Sequence, residues 1–126
     1  MGIPEPVARL RAELRDRALE LPEAWQDHPW GETVVKVRKK IFVFLGVDDG
    51  SYPPGVGVKL RGSLDEALGL PGVTPMGYGL GKAGWVMVSF EPEPPPGDLL
   101  LDWVEESCRL VAPKTLVALL DADRPV

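Results

Sequence analysis

The chain has one cysteine, Cys108, and one histidine, His28, in 126 residues. A lone cysteine forms no intramolecular disulfide, and a small secreted chain more often carries an even set, so a reducing compartment and a cytoplasmic protein are the expectation. Zinc asks for several Cys or His ligands, and with two such residues in all neither a metal centre nor another cofactor is expected. Long apolar runs are missing too, none approaching the roughly eighteen residues of a membrane span. The first residues interleave Glu5, Glu13 and Asp16 with arginines, without the unbroken apolar core of a signal peptide. Positive charge is outnumbered, 14 Lys and Arg against 19 Asp and Glu. The net charge of −5 speaks against a strongly cationic nucleic-acid binder, because affinity for a phosphate backbone comes largely from released counterions.

What is present is ordinary in amount and uneven in placement. Apolar residues make up 44% and charged residues 26%, near globular averages, and the length suits one domain over 1–126 that folds without staples. A monomer is the simplest expectation. Residues 1–32 hold seven acids and four bases, residues 33–90 four acids and seven bases, and residues 91–126 eight acids and three bases. Only the middle is basic, by +3 against −3 and −5.

Val7, Leu10, Leu14, Ala18 and Leu21 recur at three- and four-residue steps, which predicts a helix from about Glu5 to Leu21, stopped by Pro22. Its other face, with Arg9, Glu13, Arg15, Asp16, Arg17 and Glu20, reads as solvated surface. Glu23 to Glu32 reads as a short edge strand running into a turn. Val35 and Val37 alternate with Lys36 and Arg38, a polar turn follows near Lys39 and Lys40, and Ile41 to Val47 is branched and aromatic, which together make a hairpin. Asp48, Asp49, Gly50 and Ser51 with Pro53 and Pro54 form a loop. Val56, Val58 and Leu60 then alternate with Gly57, Lys59 and Arg61 in a further strand.

Ser63 followed by Glu66 is a capping-box pattern opening a short helix over Leu64 to Leu70, which Pro71 and Gly72 end. Residues 73–83 read as a weak strand leading into a turn, and Trp85 to Phe90 as a definite strand. After the proline-rich connector Glu91 to Gly97, the positions Leu100 or Leu101, Val104, Cys108 and Val111 mark an amphipathic helix, with a last short helix through Leu120. Connections mostly too short for parallel crossovers imply an α+β fold of two layers, an antiparallel sheet packed against helices on one face.

Chemistry is hard to find. Asp27 and His28 are adjacent, but residues adjacent in a strand point to opposite faces, so a general base is a poor reading and a surface or structural histidine the better one. Cys108 lies on the apolar stripe of its helix and reads as a buried hydrophobe. Asp48 and Asp49 lack the spacing of a calcium loop and read as turn formers. GYGLGK at residues 77–82 is one residue short of phosphate-loop spacing, Ala83 stands where the metal-binding hydroxyl belongs, and a strand follows where a helix is needed. No catalytic set emerges, and the chain is not expected to be an enzyme. What remains is Lys36, Arg38, Lys39, Lys40, Lys59, Arg61 and Lys82. If the hairpin pairs with the Val56 to Leu60 strand, several of these converge on one sheet face or one end, next to Trp85 or Tyr78, as a phosphate-contacting surface requires. The plainer reading is solubility, since an exposed sheet face carries charge anyway and lysines protect edges.

The stretch LPEAWQDHPWGETVVKVRKKIFVFL, followed by VGVKL, a short helix and LPGVTPMGYGLGKAGWVMVSF, resembles the MmcQ/YjbR family over roughly residues 5–118. The resemblance implies a compact two-layer fold of α-β3-α-β2-α type, related to secretion-chaperone-like and CyaY-like folds. It also implies DNA binding through a double wing, which here maps onto the Thr33 to Val47 hairpin and the Gly81 to Phe90 strand with its preceding loop. Lys36, Lys40, Lys59, Lys82 and Trp85 match positions of the family pattern. Gly79 after Tyr78 departs from it, since family members commonly have histidine there, and no role of that histidine transfers. The expectation is therefore a non-enzymatic module binding DNA weakly through Lys36, Arg38, Lys40, Lys59, Arg61, Lys82 and Trp85. The alternative is a protein-interaction or chaperone-like module without nucleic-acid binding.

Overall fold

A computed structural model describes residues 5–46, 54–77, 79–91 and 93–122, with the backbone alone for Trp30 and Ala122. Helix α1 (Glu5–Leu19) leads to strand β1 (Ala24–Asp27), a 3-10 turn at Pro29–Gly31, and the hairpin of β2 (Thr33–Val37) and β3 (Lys40–Gly46). Strand β4 (Gly55–Lys59), helix α2 (Leu64–Leu68), strand β5 (Val73–Pro75), a 3-10 turn at Leu80–Ala83 and strand β6 (Trp85–Ser89) follow. Helices α3 (Gly97–Val111) and α4 (Lys114–Ala122) close the order. The α-β3-α-β2-α scheme is thus extended by the short edge strand β1 and by the split of the terminal helix, where Pro113 cannot continue α3. Of the expected loop and strand end, Val47, Asp48, Asp49, Gly50, Ser51 and Pro53 lie outside the described residues, as does Tyr78.

The six strands form one sheet in the order β1-β2-β3-β4-β6-β5, every neighbouring pair antiparallel. Strand β6 lies between β4 and β5, so residues 60–72 with α2 carry the chain past one strand position, a crossover the spacing of the strands did not suggest. Cross-strand partners share a face. Val35, Val43, Val58 and Val86 form one such row and Val56, Val88 and Val73 another, all buried in one core cluster with Leu14 and Ala18 of α1 and Leu100, Trp103 and Val104 of α3. Each fully buried aliphatic chain contributes on the order of 1.5–3 kcal/mol, which fixes the register because a slip of one residue turns the valines outward. A register shift between Val35 and Lys36 leaves Phe42 unopposed, so that Phe42 joins Val43 in the core.

Two polar groups tie the layers together. The Ser107 hydroxyl, fully buried on α3, donates to the Phe42 carbonyl at 2.6 Å and accepts the Lys59 N–H at 2.9 Å, bridging β3 and β4 beyond their last paired residues. Arg11 of α1 donates from Nε to the Leu45 carbonyl at 2.6 Å and from Nη2 to that of Gly46 at 3.0 Å. The expected capping box at α2 does not form. The Ser63 hydroxyl instead donates to Glu106 Oε1 at 2.7 Å, since the α3 carboxylate lies within reach, while Glu106 Oε2 accepts the N–H groups of Arg61 and Ser63.

Candidate nucleic-acid interface

The face opposite the core carries the other residues of each strand. One row runs Trp25, Lys36, Ile41 and, across β4 and β6, Lys59 with Trp85. The next runs Asp27, Val34, Phe44, Gly57, Met87 and Thr74. Among the described residues the buried helix side chains belong to the other face, and Val34 and Trp85 are buried without joining the core cluster. Phe44 and Trp85 meet edge to face, ring centroids 5.3 Å apart and planes at 73°, and Phe44 lies against Gly57. A side chain at Gly57 would press on Phe44 and on the Met76 sulfur, so the glycine leaves the space those groups fill.

The direction of each strand brings the expected cations to one end of this sheet. Strand β2 ends and β3 begins at the turn holding Arg38, Lys39 and Lys40, β4 ends at Lys59 with Arg61 just beyond, and Lys82 stands in the 3-10 turn that enters β6 at Trp85. The Leu60 N–H donates to the Gly84 carbonyl at 2.9 Å, joining the last two loops. Adjacent strands lie about 4.8 Å apart, so positions from β2 to β6 span roughly 15 Å of this end. Lys36 sits one step inward on β2.

Carboxylates reach two of these cations. Lys36 Nζ is 2.7 Å from Asp27 Oδ2, and the Arg38 guanidinium is 3.2 Å from Glu23 Oε1. The Lys36 hydrogen bond, with a smaller contribution from the His28 N–H, holds the Asp27 carboxyl below its usual range, so this pair persists as pH falls through that range. Glu23 and Arg38 both have positive φ, 57° and 56°, uncommon for residues other than glycine, and each holds the other across the β1 edge. Lys39, Lys40, Lys59, Arg61 and Lys82 form no side-chain ion pair among the described residues, and Lys39, Lys40, Arg61 and Lys82 are exposed.

Asp27 and His28 point apart, as adjacency in an extended segment requires. The imidazole faces Gln26 Nε2 at 3.0 Å and Thr33 Oγ1 at 3.4 Å, while the carboxylate is held by Lys36. The cavity lined by Arg11, Arg15, Gln26 and Thr33, about 300 Å³, opens at the opposite end of the sheet on the helix side. Residues 80–83 form a 3-10 turn leading into a strand, without the helix N-terminus of a phosphate loop. Cys108 is buried, and burial, reinforced by Glu105, pushes its thiol up to about 11. The native thiol is accordingly expected to resist Ellman's reagent at pH 8 and to react stoichiometrically once the chain is unfolded in guanidinium. Rapid labelling of the folded protein would contradict the buried placement.

Arg11 and Ser107 organise the layers without any local motif to mark them, yet both occupy apolar-stripe positions, Val7-Arg11-Leu14-Ala18 at steps of four, three and four, and Leu100-Val104-Ser107-Val111 likewise. No curated protein matches the chain. The family model described as YjbR matches residues 19–110, which take in the whole sheet, α2 and nearly all of α3. Matched over well more than half its length, the chain belongs to the YjbR family.

Proposed function

We propose that the chain is a non-enzymatic module that binds nucleic acid weakly through the basic end of its sheet, positioned by phosphate contacts with little sequence readout. One observation carries this reading: antiparallel pairing collects cations from three separate connections at one end of a molecule whose net charge is −5. Glu23, Asp27 and Glu106 of the acidic flanks reach this end, yet Lys39, Lys40, Lys59, Arg61 and Lys82 keep no side-chain ion pair among the described residues, and their cluster supports a local field that the net charge conceals. Lys40, Lys59, Arg61 and Lys82, with Lys39 beside them, make the phosphate contacts in this reading. Lys36 and Arg38 shape the surface while paired to Asp27 and Glu23, and Trp85, only 9% exposed, lies beside Lys59 on the neighbouring strand.

Four phosphate contacts give a log–log salt slope of about −3.6 on duplex DNA, a loss of on the order of 100-fold between 50 and 200 mM salt. Titration of labelled duplex and single-stranded DNA at those two concentrations is the test, repeated with Lys40, Lys59, Arg61 and Lys82 each changed to Glu. Binding at 50 mM that each reversal weakens severalfold is the expected outcome. Absence of binding at 50 mM removes the reading.

Protein docking is the second reading. It draws on the half-buried Ile41, Phe44, Met76 and Met87 around Gly57 on the face away from the helices. Apolar docking there is largely insensitive to salt, which separates it from the phosphate reading.

A further inference from the structure

The basic end holds a tryptophan that the core does not use. Trp103 and Trp85 are 2% and 9% exposed, whereas Trp25 is 44% exposed on the edge strand β1. Its ring is nonetheless fixed. The indole N–H donates to the Arg38 carbonyl at 2.6 Å, and the Lys36 ammonium, itself anchored on Asp27, lies 5.1 Å from the ring centroid. The same Arg38 is tethered to Glu23, so the β2–β3 turn and the indole are held together from both sides. The next two residues of that turn, Lys39 and Lys40, are exposed cations.

A pre-positioned aromatic surface beside exposed cations has the composition of a base-stacking platform. Lys36 lies over one face of the ring and strengthens its hold through the ring quadrupole, while the exposed remainder is open to an incoming flat group. Duplex bases are already stacked on their neighbours and present only their edges in the grooves. An indole on a sheet edge can therefore stack only on a base that is unpaired.

We infer that the ligand of the basic end is single-stranded nucleic acid, one base stacked on Trp25 and the flanking phosphates held by Lys39 and Lys40. This rests on the nucleic-acid reading above and narrows it to a substrate class. Charge complementarity selects the occupant: a polyanion with exposed flat groups satisfies both the cationic turn and the ring, whereas an apolar peptide satisfies the ring alone.

The test compares a fluorescein-labelled mixed-sequence 20-mer DNA with its duplex at 50 mM salt, using the full chain, Trp25→Ala and Trp25→Phe, with circular dichroism confirming that each variant is folded. The single strand is expected to bind more tightly than the duplex. Trp25→Ala should weaken single-strand binding by about tenfold or more while leaving duplex binding within threefold, and Trp25→Phe should restore most of the loss because a stacking ring remains. Duplex binding as tight as single-strand binding, or indifference of the single strand to Trp25→Ala, overturns the inference and leaves the basic-end reading standing. Failure of both probes to bind overturns the basic-end reading as well.

Discussion

Replacing Ser107 with alanine lowers the stability of the fold by about 2–4 kcal/mol, read as a fall in the urea midpoint at an unchanged denaturant slope. The basis is the inserted hydroxyl. Strands β3 and β4 have paired residues at Val43 with Val58 and Phe44 with Gly57, and beyond them the Phe42 carbonyl and the Lys59 N–H are met by Ser107. Removing the oxygen strands one acceptor and one donor in a place where Ser107 itself has no exposure. Each buried group left without a partner costs about 1–3 kcal/mol, more than the hydrogen bond contributes when made. The vacated volume is that of one hydroxyl, too small to admit a compensating water without movement of the helix. Ser107→Thr retains the donor and acceptor and is the control, expected to recover much of the loss if the added methyl is accommodated. A midpoint shift worth less than about 0.5 kcal/mol for the alanine variant would mean that the strands close on each other without the helix, contrary to their observed register.

The same bridge accounts for part of what sequence could and could not show. Valine alternation identified the strands and their inward faces, and the stripe Leu100, Val104, Cys108 identified the buried side of α3. Ser107 stands on that stripe, so its burial was legible from periodicity. Its partners were not, because they depend on how β3 and β4 splay, 65 and 48 residues away in the chain. Ser63 illustrates the converse. Its pattern with Glu66 is a local cue for a capping box, but the Ser63 N–H that Glu66 would accept goes to the Glu106 carboxylate of α3, which also accepts the Ser63 hydroxyl, so a tertiary partner takes the place of the local one.

The candidate interface was legible in kind more than in detail. A basic middle between acidic flanks was visible from charge counts, and convergence of its cations required the hairpin to pair with the Val56 to Leu60 strand. That pairing is present. What remained hidden was the part played by β1. Its register against β2 sets Trp25 beside Lys36 and Asp27 beside Val34, one strand step from Lys36, so two of the seven basic residues acquire carboxylate partners from a segment that read only as a short edge strand. Placement of Trp25 over a lysine follows from the same register. Strand order contributed the other surprise, since insertion of β6 between β4 and β5 is what brings Lys82 and Trp85 alongside Lys59.

Gly84→Ala is expected to break that juxtaposition, with a loss of about 3–5 kcal/mol in unfolding free energy and a matching fall in melting temperature. Gly84 has φ +99°, a conformation that a residue with a Cβ enters only under strain of about 1–3 kcal/mol. Strain is only half of it. A Cβ at this position would overlap the Leu60 carbonyl oxygen, a backbone atom that cannot turn aside, while the Gly84 carbonyl is accepting the Leu60 N–H. Relieving the overlap pulls the end of β4 away from the start of β6 and with it Lys59 from Trp85. Gly79→Ala separates the two effects. Gly79 has a similar φ of +80°, but a methyl added there would meet nothing within 4 Å, so it bears the backbone strain alone, about 1–2 kcal/mol. Gly77, with open space and no positive φ, should accept alanine within about 0.5 kcal/mol. Equal losses at positions 84 and 79 would show that β4 and the turn before β6 are not in the close contact on which the shared cationic end depends.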